Sequence, residues 1–140
     1  MKMNRESFTT SFDILTGLTT DIPAIKRLLS KMKGMYYDKE AYKQMINQGD
    51  PLVYEFYNID VPEKSSDLIY GTSIVYPGKV GDEFFMTKGH FHTILETAES
   101  YFCLSGNGIM VMENQAGDSQ IQELRRGTAL YVPPGYAHRS

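Results

Sequence analysis

From residue 52 onward the chain reads as short strand-forming runs broken by turn residues, and that rhythm leaves few folds open. LVYEFYNI, LIYGTSIVY, EFFMTKGHFH, SYFCLSGNGIMVME, QIQELR and TALYVP concentrate Val, Ile, Tyr, Phe and Thr. These are the residue types whose branched or flat side chains suit a pleated, half-buried surface. Pro77-Gly78, Gly106-Asn107-Gly108, Ala116-Gly117-Asp118 and Pro133-Pro134-Gly135 punctuate the runs as turns. Strands do not alternate with long helical patterns, which argues against a parallel α/β sheet. The expectation is an all-β sandwich or closed barrel.

Upstream the pattern differs. Residues 1–20 read as an irregular or short-strand arm. In residues 22–33, IPAIKRLLSKMK, the residues Ile25, Leu28, Leu29 and Met32 suit one side of an amphipathic helix, and the segment can equally be extended. Asp38 then opens a better helix, KEAYKQMINQ, which it can cap and which Gly49 and Pro51 end. This divides the chain into an arm and short helix over residues 1–50, packed on a barrel over residues 51–140, within a single domain.

The 140 residues are enough for one core, with 41% apolar and 22% charged residues and a net charge of −3. No basic cluster exceeds the Lys31/Lys33 and Arg125/Arg126 pairs, so no nucleic-acid surface is expected. Cys103 is the only cysteine; with no intrachain disulfide possible, it reads as a buried strand residue in a reducing compartment. No stretch approaches the ~20 apolar residues of a membrane span, and residues 1–17 carry no run of signal-peptide length. A soluble, cytoplasmic protein is the expectation.

The three histidines are His90, His92 and His138. Residues two apart on a strand face the same way, so His90 and His92 can share one ion. Glu99 follows His92 after six residues, far enough for a turn and a returning strand; His138 must arrive from a distant strand. Three imidazoles and one carboxylate leave open positions on a metal that prefers five or six ligands, as catalytic sites need. An isolated H-x-H is usually incidental. Here a second signature lowers that reading: Gly127, Pro133, Gly135 and His138 form G-x5-P-x-G-x2-H, a turn, a strand, a bend and then a ligand.

The two segments resemble the two motifs of the cupin superfamily, which implies a double-stranded β-helix, or jelly-roll barrel, with a short N-terminal helical or irregular extension. Phe84 stands where the first motif usually has glycine, and the six-residue gap before Glu99 exceeds the usual three or four. That gap, with TKGHFH, AESYFCLSGNGIM and GTALYVPPGYAHR, is similar to the cupin-type glucose-6-phosphate isomerases of archaea and some bacteria. The likeness covers roughly residues 30–140, including DPLVYEFY and KMKGMYYDKEAY.

The resemblance implies a divalent metal on His90, His92, Glu99 and His138, with Fe(II) first and Mn(II), Ni(II) or Zn(II) as alternatives. It implies a sugar-phosphate substrate beside the metal, a homodimer, and interconversion of glucose 6-phosphate and fructose 6-phosphate in glycolysis and gluconeogenesis. Thr87 and Gly89, with Ser73 where relatives have threonine, match the phosphate-anchoring group, and Lys88 is a further phosphate partner. Tyr54 and Tyr101 match pocket tyrosines that orient the open-chain sugar. Glu99 is the candidate base. Relatives continue beyond the last ligand, so C-terminal strands are expected to be missing here. The alternatives are a non-catalytic sugar-phosphate-binding cupin, a metal cupin with another substrate such as an oxygenase, or an inactive truncated form.

Overall fold

The computed structural model describes residues 6–140. Among them are ten strands and one α-helix: β1 (Ile25–Leu28), α1 (Lys39–Gln48), β2 (Leu52–Asn58), β3 (Gly71–Val75), β4 (Lys79–Val80), β5 (Glu83–Phe84), β6 (Glu99–Phe102), β7 (Asn107–Asn114), β8 (Ser119–Arg125), β9 (Ala129–Val132) and β10 (Tyr136–Arg139). The fold is all-β with one helix. Its strands pair antiparallel into sheets β1–β2–β3, β10–β7–β8, β4–β5 and β6–β9.

Helix α1 follows its sequence signals. The Asp38 carboxylate accepts from the Ala41 N–H, and the Gly49 N–H closes the far end on the Met45 and Ile46 carbonyls. Residues 25–32 are extended and then tightly turned rather than α-helical. Ile25–Leu28 pair with β2, and Leu29–Met32 form one 3-10 turn. Their apolar residues suit helical spacing, but the edge of β2 offers a full row of backbone partners. The turn then lets Leu29 donate to the Pro51 carbonyl at 2.9 Å.

Two apolar clusters form the core. Leu29, Met32, Tyr36, Val53, Tyr54, Val80 and Phe85 make the first, with α1 packed on it through Ala41, Tyr42, Met45 and Ile46. Met110, Met112, Leu130 and Val132 make the second, flanked by Tyr101, Leu124 and Tyr136. Alternation along β7 turns Met110 and Met112 inward and leaves Ile109 and Val111 outside. The register sets His138 of β10 opposite Met112, so the histidine shares the inner face with the second cluster. At the β2–β3 end, a Cβ on Gly71 would lie 1.7 Å from the Tyr57 carbonyl oxygen, a backbone approach that only glycine allows.

Two sequence expectations change. The run EFFMTKGHFH is not one strand: pairing stops after Phe84 and returns only as an isolated bridge between His90 and His138. Gly89 interrupts it with φ +72°, a left-handed backbone that turns the chain. Cys103 lies just past the end of β6 and is half-buried, its thiol facing the Ser105 carbonyl at 3.4 Å, rather than a buried strand residue.

Candidate metal centre

Four segments bring four side chains together. The bridge to β10 fixes His90 beside His138, and the His138 N–H points at the His90 carbonyl at 3.4 Å. His92 follows on a stretch outside any paired strand, and the left-handed turn at Gly89 precedes both imidazoles. Glu99 opens β6 opposite Val132 of β9. Each of the four residues offers one ligand atom, and these atoms all lie within 4.8 Å of one another. Exposure falls from the solvent-facing His90 through half-buried His92 and Glu99 to buried His138, so the cluster has a wet side and a dry side.

The distances suit a cation. Glu99 Oε2 lies 2.8 Å from His92 Nε2 and 3.0 Å from His138 Nε2. Ligands at about 2.0–2.2 Å from one ion stand roughly 3.0–3.4 Å from each other, close to these separations. The donor chemistry agrees. His92 Nδ1 sits 2.9 Å from the Thr97 carbonyl oxygen, which can only accept, so the ring hydrogen belongs on Nδ1. The lone pair of Nε2 is then aimed at a carboxylate oxygen. Two acceptors at that distance need a positive charge between them, supplied by a proton or by a metal ion.

The local electrostatics keep Glu99 ionised. Burial alone would push its carboxyl up. The close side-chain contacts with His138 and His92, the His138 charge and a hydrogen bond from Tyr101 outweigh burial and bring the pKa to about 2. Tyr101, two residues along the same face of β6, lies with its hydroxyl 3.0 Å from His138 Nε2. Burial, then the Glu99 charge and their hydrogen bond, raise the phenol well above its usual value. His90 is shifted down, first by burial and then by His138, with Glu99 opposing.

The remaining sequence candidates fall in two places. Thr87, Lys88 and Gly89 run into His90 and lie along the end of β10. The Thr87 N–H donates to the Ser140 carbonyl at 2.8 Å, and Thr87 Oγ1 accepts from the Ser140 N–H at 3.1 Å. The Thr87 hydroxyl hydrogen is left to donate elsewhere. At Gly89 a Cβ would lie 2.9 Å from the His138 carbonyl oxygen, so the close approach and the left-handed turn both require glycine. Tyr54 and Ser73 belong to the separate β1–β2–β3 sheet. Tyr54 opposite Val75 and Phe56 opposite Ser73 put both residues on one face, where Tyr54 is buried and stacked on Phe56 at 6.3 Å.

Two contributors escape sequence reasoning. Arg139 reaches back over the loop, donating to the Lys88 carbonyl at 3.0 Å and touching the Met86 sulfur at 3.4 Å. Its place after the last ligand gave no hint of that. Thr97 acts on His92 through its main-chain carbonyl, which no side-chain pattern encodes; the long gap between His92 and Glu99 is its only trace.

Comparison with known proteins identifies the family. The family described as glucose-6-phosphate isomerase (GPI) matches residues 26–140. The glucose-6-phosphate isomerase of Thermococcus litoralis is 46% identical over 136 residues, covering 97% of this chain and 72% of that protein. The Pyrococcus furiosus enzyme of the same name is 43% identical over 138 residues, covering 99% of this chain and 73% of the relative. The likeness reaches a bacterial glucose-6-phosphate isomerase, from Sinorhizobium medicae, at 38% identity over 91% of this chain and 61% of the relative. With its all-β cupin-like fold, the chain belongs to the cupin-type glucose-6-phosphate isomerase family.

Proposed function

We propose that this protein interconverts glucose 6-phosphate and fructose 6-phosphate at a metal centre formed by His90, His92, Glu99 and His138. The single observation that carries this reading is the convergence of three imidazoles and one ionised carboxylate at one point, in a chain of this family. When bound there, a divalent metal polarises the carbonyl or hydroxyl oxygens at C1 and C2 of the open-chain sugar. Fe(II) is the proposed ion, with Mn(II), Ni(II) and Zn(II) as alternatives for a mixed nitrogen and oxygen set.

The protein's own groups then have these parts. Thr87, through its free hydroxyl hydrogen, and the close-approach turn at Gly89 hold the phosphate, with Ser73 and Lys88 assisting. Tyr54 and Tyr101 orient the sugar; Tyr101 stays protonated and donates. Glu99 takes the proton from the carbon next to the carbonyl and returns it to the neighbouring carbon, while the hydroxyl proton passes between O1 and O2, through an enediol. A second route is favoured by a specific observation. Glu99 is already engaged by His92 and His138 and is held at about 2, which makes it a weak base. Direct transfer of hydrogen with its electron pair between C1 and C2 needs no base. Conversion of fructose 6-phosphate in D2O separates the two: deuterium at C2 of the glucose 6-phosphate supports proton transfer, and its absence supports the hydride route.

The wider reading is of a homodimer working in cytoplasmic glycolysis and gluconeogenesis, with residues 1–50 bracing a barrel over 51–140. Among the described residues no helix is long and apolar enough to cross a membrane. The test of function is a coupled assay on fructose 6-phosphate. Turnover is expected, is lost after chelation and gel filtration, and returns with one divalent ion per chain. Ligand-induced thermal protection without turnover would instead support the sugar-phosphate-binding alternative, and oxygen uptake with Fe(II) an oxygenase.

A further inference from the structure

We propose that the six residues between His92 and Glu99 form an outer shell of the metal centre, in which the Ile94–Thr97 turn presents the Thr97 carbonyl to His92 Nδ1 and fixes His92 as an Nε2 ligand. The inference rests on reading the four-residue cluster as a metal site and is independent of the isomerase reaction.

At Nδ1 of His92 the hydrogen-bond directions close in only one way. Nδ1 of His92 faces the Thr97 carbonyl oxygen at 2.9 Å and Thr97 Oγ1 at 3.1 Å. The carbonyl has no hydrogen to give, so Nδ1 donates. The Thr97 hydroxyl spends its own hydrogen on the Ile94 carbonyl at 2.7 Å, which the Thr97 N–H also reaches at 3.1 Å. The hydroxyl therefore meets Nδ1 as a second acceptor. Both partners of Nδ1 agree that it carries the hydrogen, and with a cation rather than a proton between Nε2 and Glu99 Oε2, 2.8 Å apart, the Nε2 lone pair points at the site.

The turn is also tied to the other ligand-bearing segment. The Gly135 N–H donates to the Leu95 carbonyl at 2.7 Å, three residues before His138. The clamp on His92 and the bend that delivers His138 thus hold each other. This gives the long gap a physical reason. Thr97 lies five residues beyond His92 and two before Glu99, and a gap of three or four residues contains no such position. Ligating histidines gain basicity and a fixed orientation when the second ring nitrogen donates to a carbonyl. His138 shows the contrast, since its Nδ1 is buried without a hydrogen-bond partner among the described residues. His92 is the ligand whose tautomer the protein itself sets.

Nitrogen-15 NMR of the histidine-labelled, zinc-loaded chain tests this directly. His92 is expected to show a metal-bound Nε2 and a slowly exchanging Nδ1–H. A His92 bound through Nδ1, or protonated on Nε2, would overturn the proposal; this readout needs no variant. In T97V, which loses the hydroxyl but keeps the volume, zinc affinity measured against a competing chelator should fall about tenfold and the Nδ1–H should exchange faster, while T97S stays within about twofold. Unchanged affinity in folded T97V would count against the clamp. Failure of the unaltered chain to bind zinc would overturn the metal reading and this inference together, whereas zinc binding through the wrong nitrogen would overturn the inference alone.

Discussion

Glu99 holds two properties in tension. It must be ionised to bind a cation, and the close contacts with His138 and His92 that keep it so also weaken it as a base. Glu99→Gln removes the charge and keeps the shape. It should retain some metal while turnover falls about a hundredfold or more, the usual weight of a general base. Parallel metal analysis and coupled assay check this, and an unaltered rate would remove Glu99 from the chemistry. Tyr101 touches His138 at 3.0 Å and interacts with Glu99. Tyr101→Phe should cost about 1 kcal/mol of stability for the lost hydrogen bond and about tenfold or more in activity, read by thermal melting and the same assay. At this scale the sequence was informative about identity but not about cause. H-x-H, Glu99 and His138 were legible as a candidate ligand set, and the four side chains do converge. The local backbone was not: a continuous strand was expected, whereas a left-handed Gly89 and an isolated bridge to His138 deliver His90 to the cluster.

Among the elements, the N-terminal segment shows where pattern and tertiary context part. The cap at Asp38 and the stop at Gly49 are local signals, and α1 obeys them. The apolar spacing of Ile25, Leu28, Leu29 and Met32 is also local, but the unpaired edge of β2 decides the outcome and draws Ile25–Leu28 into the sheet. Asp50, beyond the end of α1, pins the following 3-10 turn by accepting from the Ser30 hydroxyl at 2.6 Å and N–H at 2.7 Å. Those bonds, first from the side chain and then from the backbone, hold its carboxyl below the ordinary aspartate value. A depressed carboxylate pKa stabilises the fold above the unfolded value and loses that contribution as pH falls through the folded value. Asp50→Asn should therefore lower the melting temperature at neutral pH, with the difference closing as the pH falls below the unperturbed aspartate value of about 3.9. A difference independent of pH would show that the charge is irrelevant there. At the start of β3, Gly71→Ala would drive a methyl to 1.7 Å from the Tyr57 carbonyl oxygen. It should cost about 2–3 kcal/mol in denaturant unfolding.

For the molecule as a whole, a candidate ligand set drawn from residues 90, 92, 99 and 138 would tie the His90 bridge, β6 and β10 to one ion. Metal that binds only the folded chain stabilises it by mass action, about 2.7 kcal/mol at a hundredfold excess over the dissociation constant. The melting temperature should rise with metal concentration in the unaltered protein and stay flat in His138→Ala, the buried member of the set. The all-β class was legible from the rhythm of short runs and turns, because turn chemistry and β-branched composition are local properties. The assembly of those strands into two apolar clusters, and the reach of Arg139 across 51 residues to the Lys88 carbonyl, depend on contacts between segments distant in sequence, which no local pattern records. X-ray absorption on the metal-loaded chain tests the central claim most directly. Three imidazole nitrogens and at least one carboxylate oxygen are expected at about 2.0–2.2 Å around a single ion; fewer than three imidazoles, or no stoichiometric ion, would contradict it.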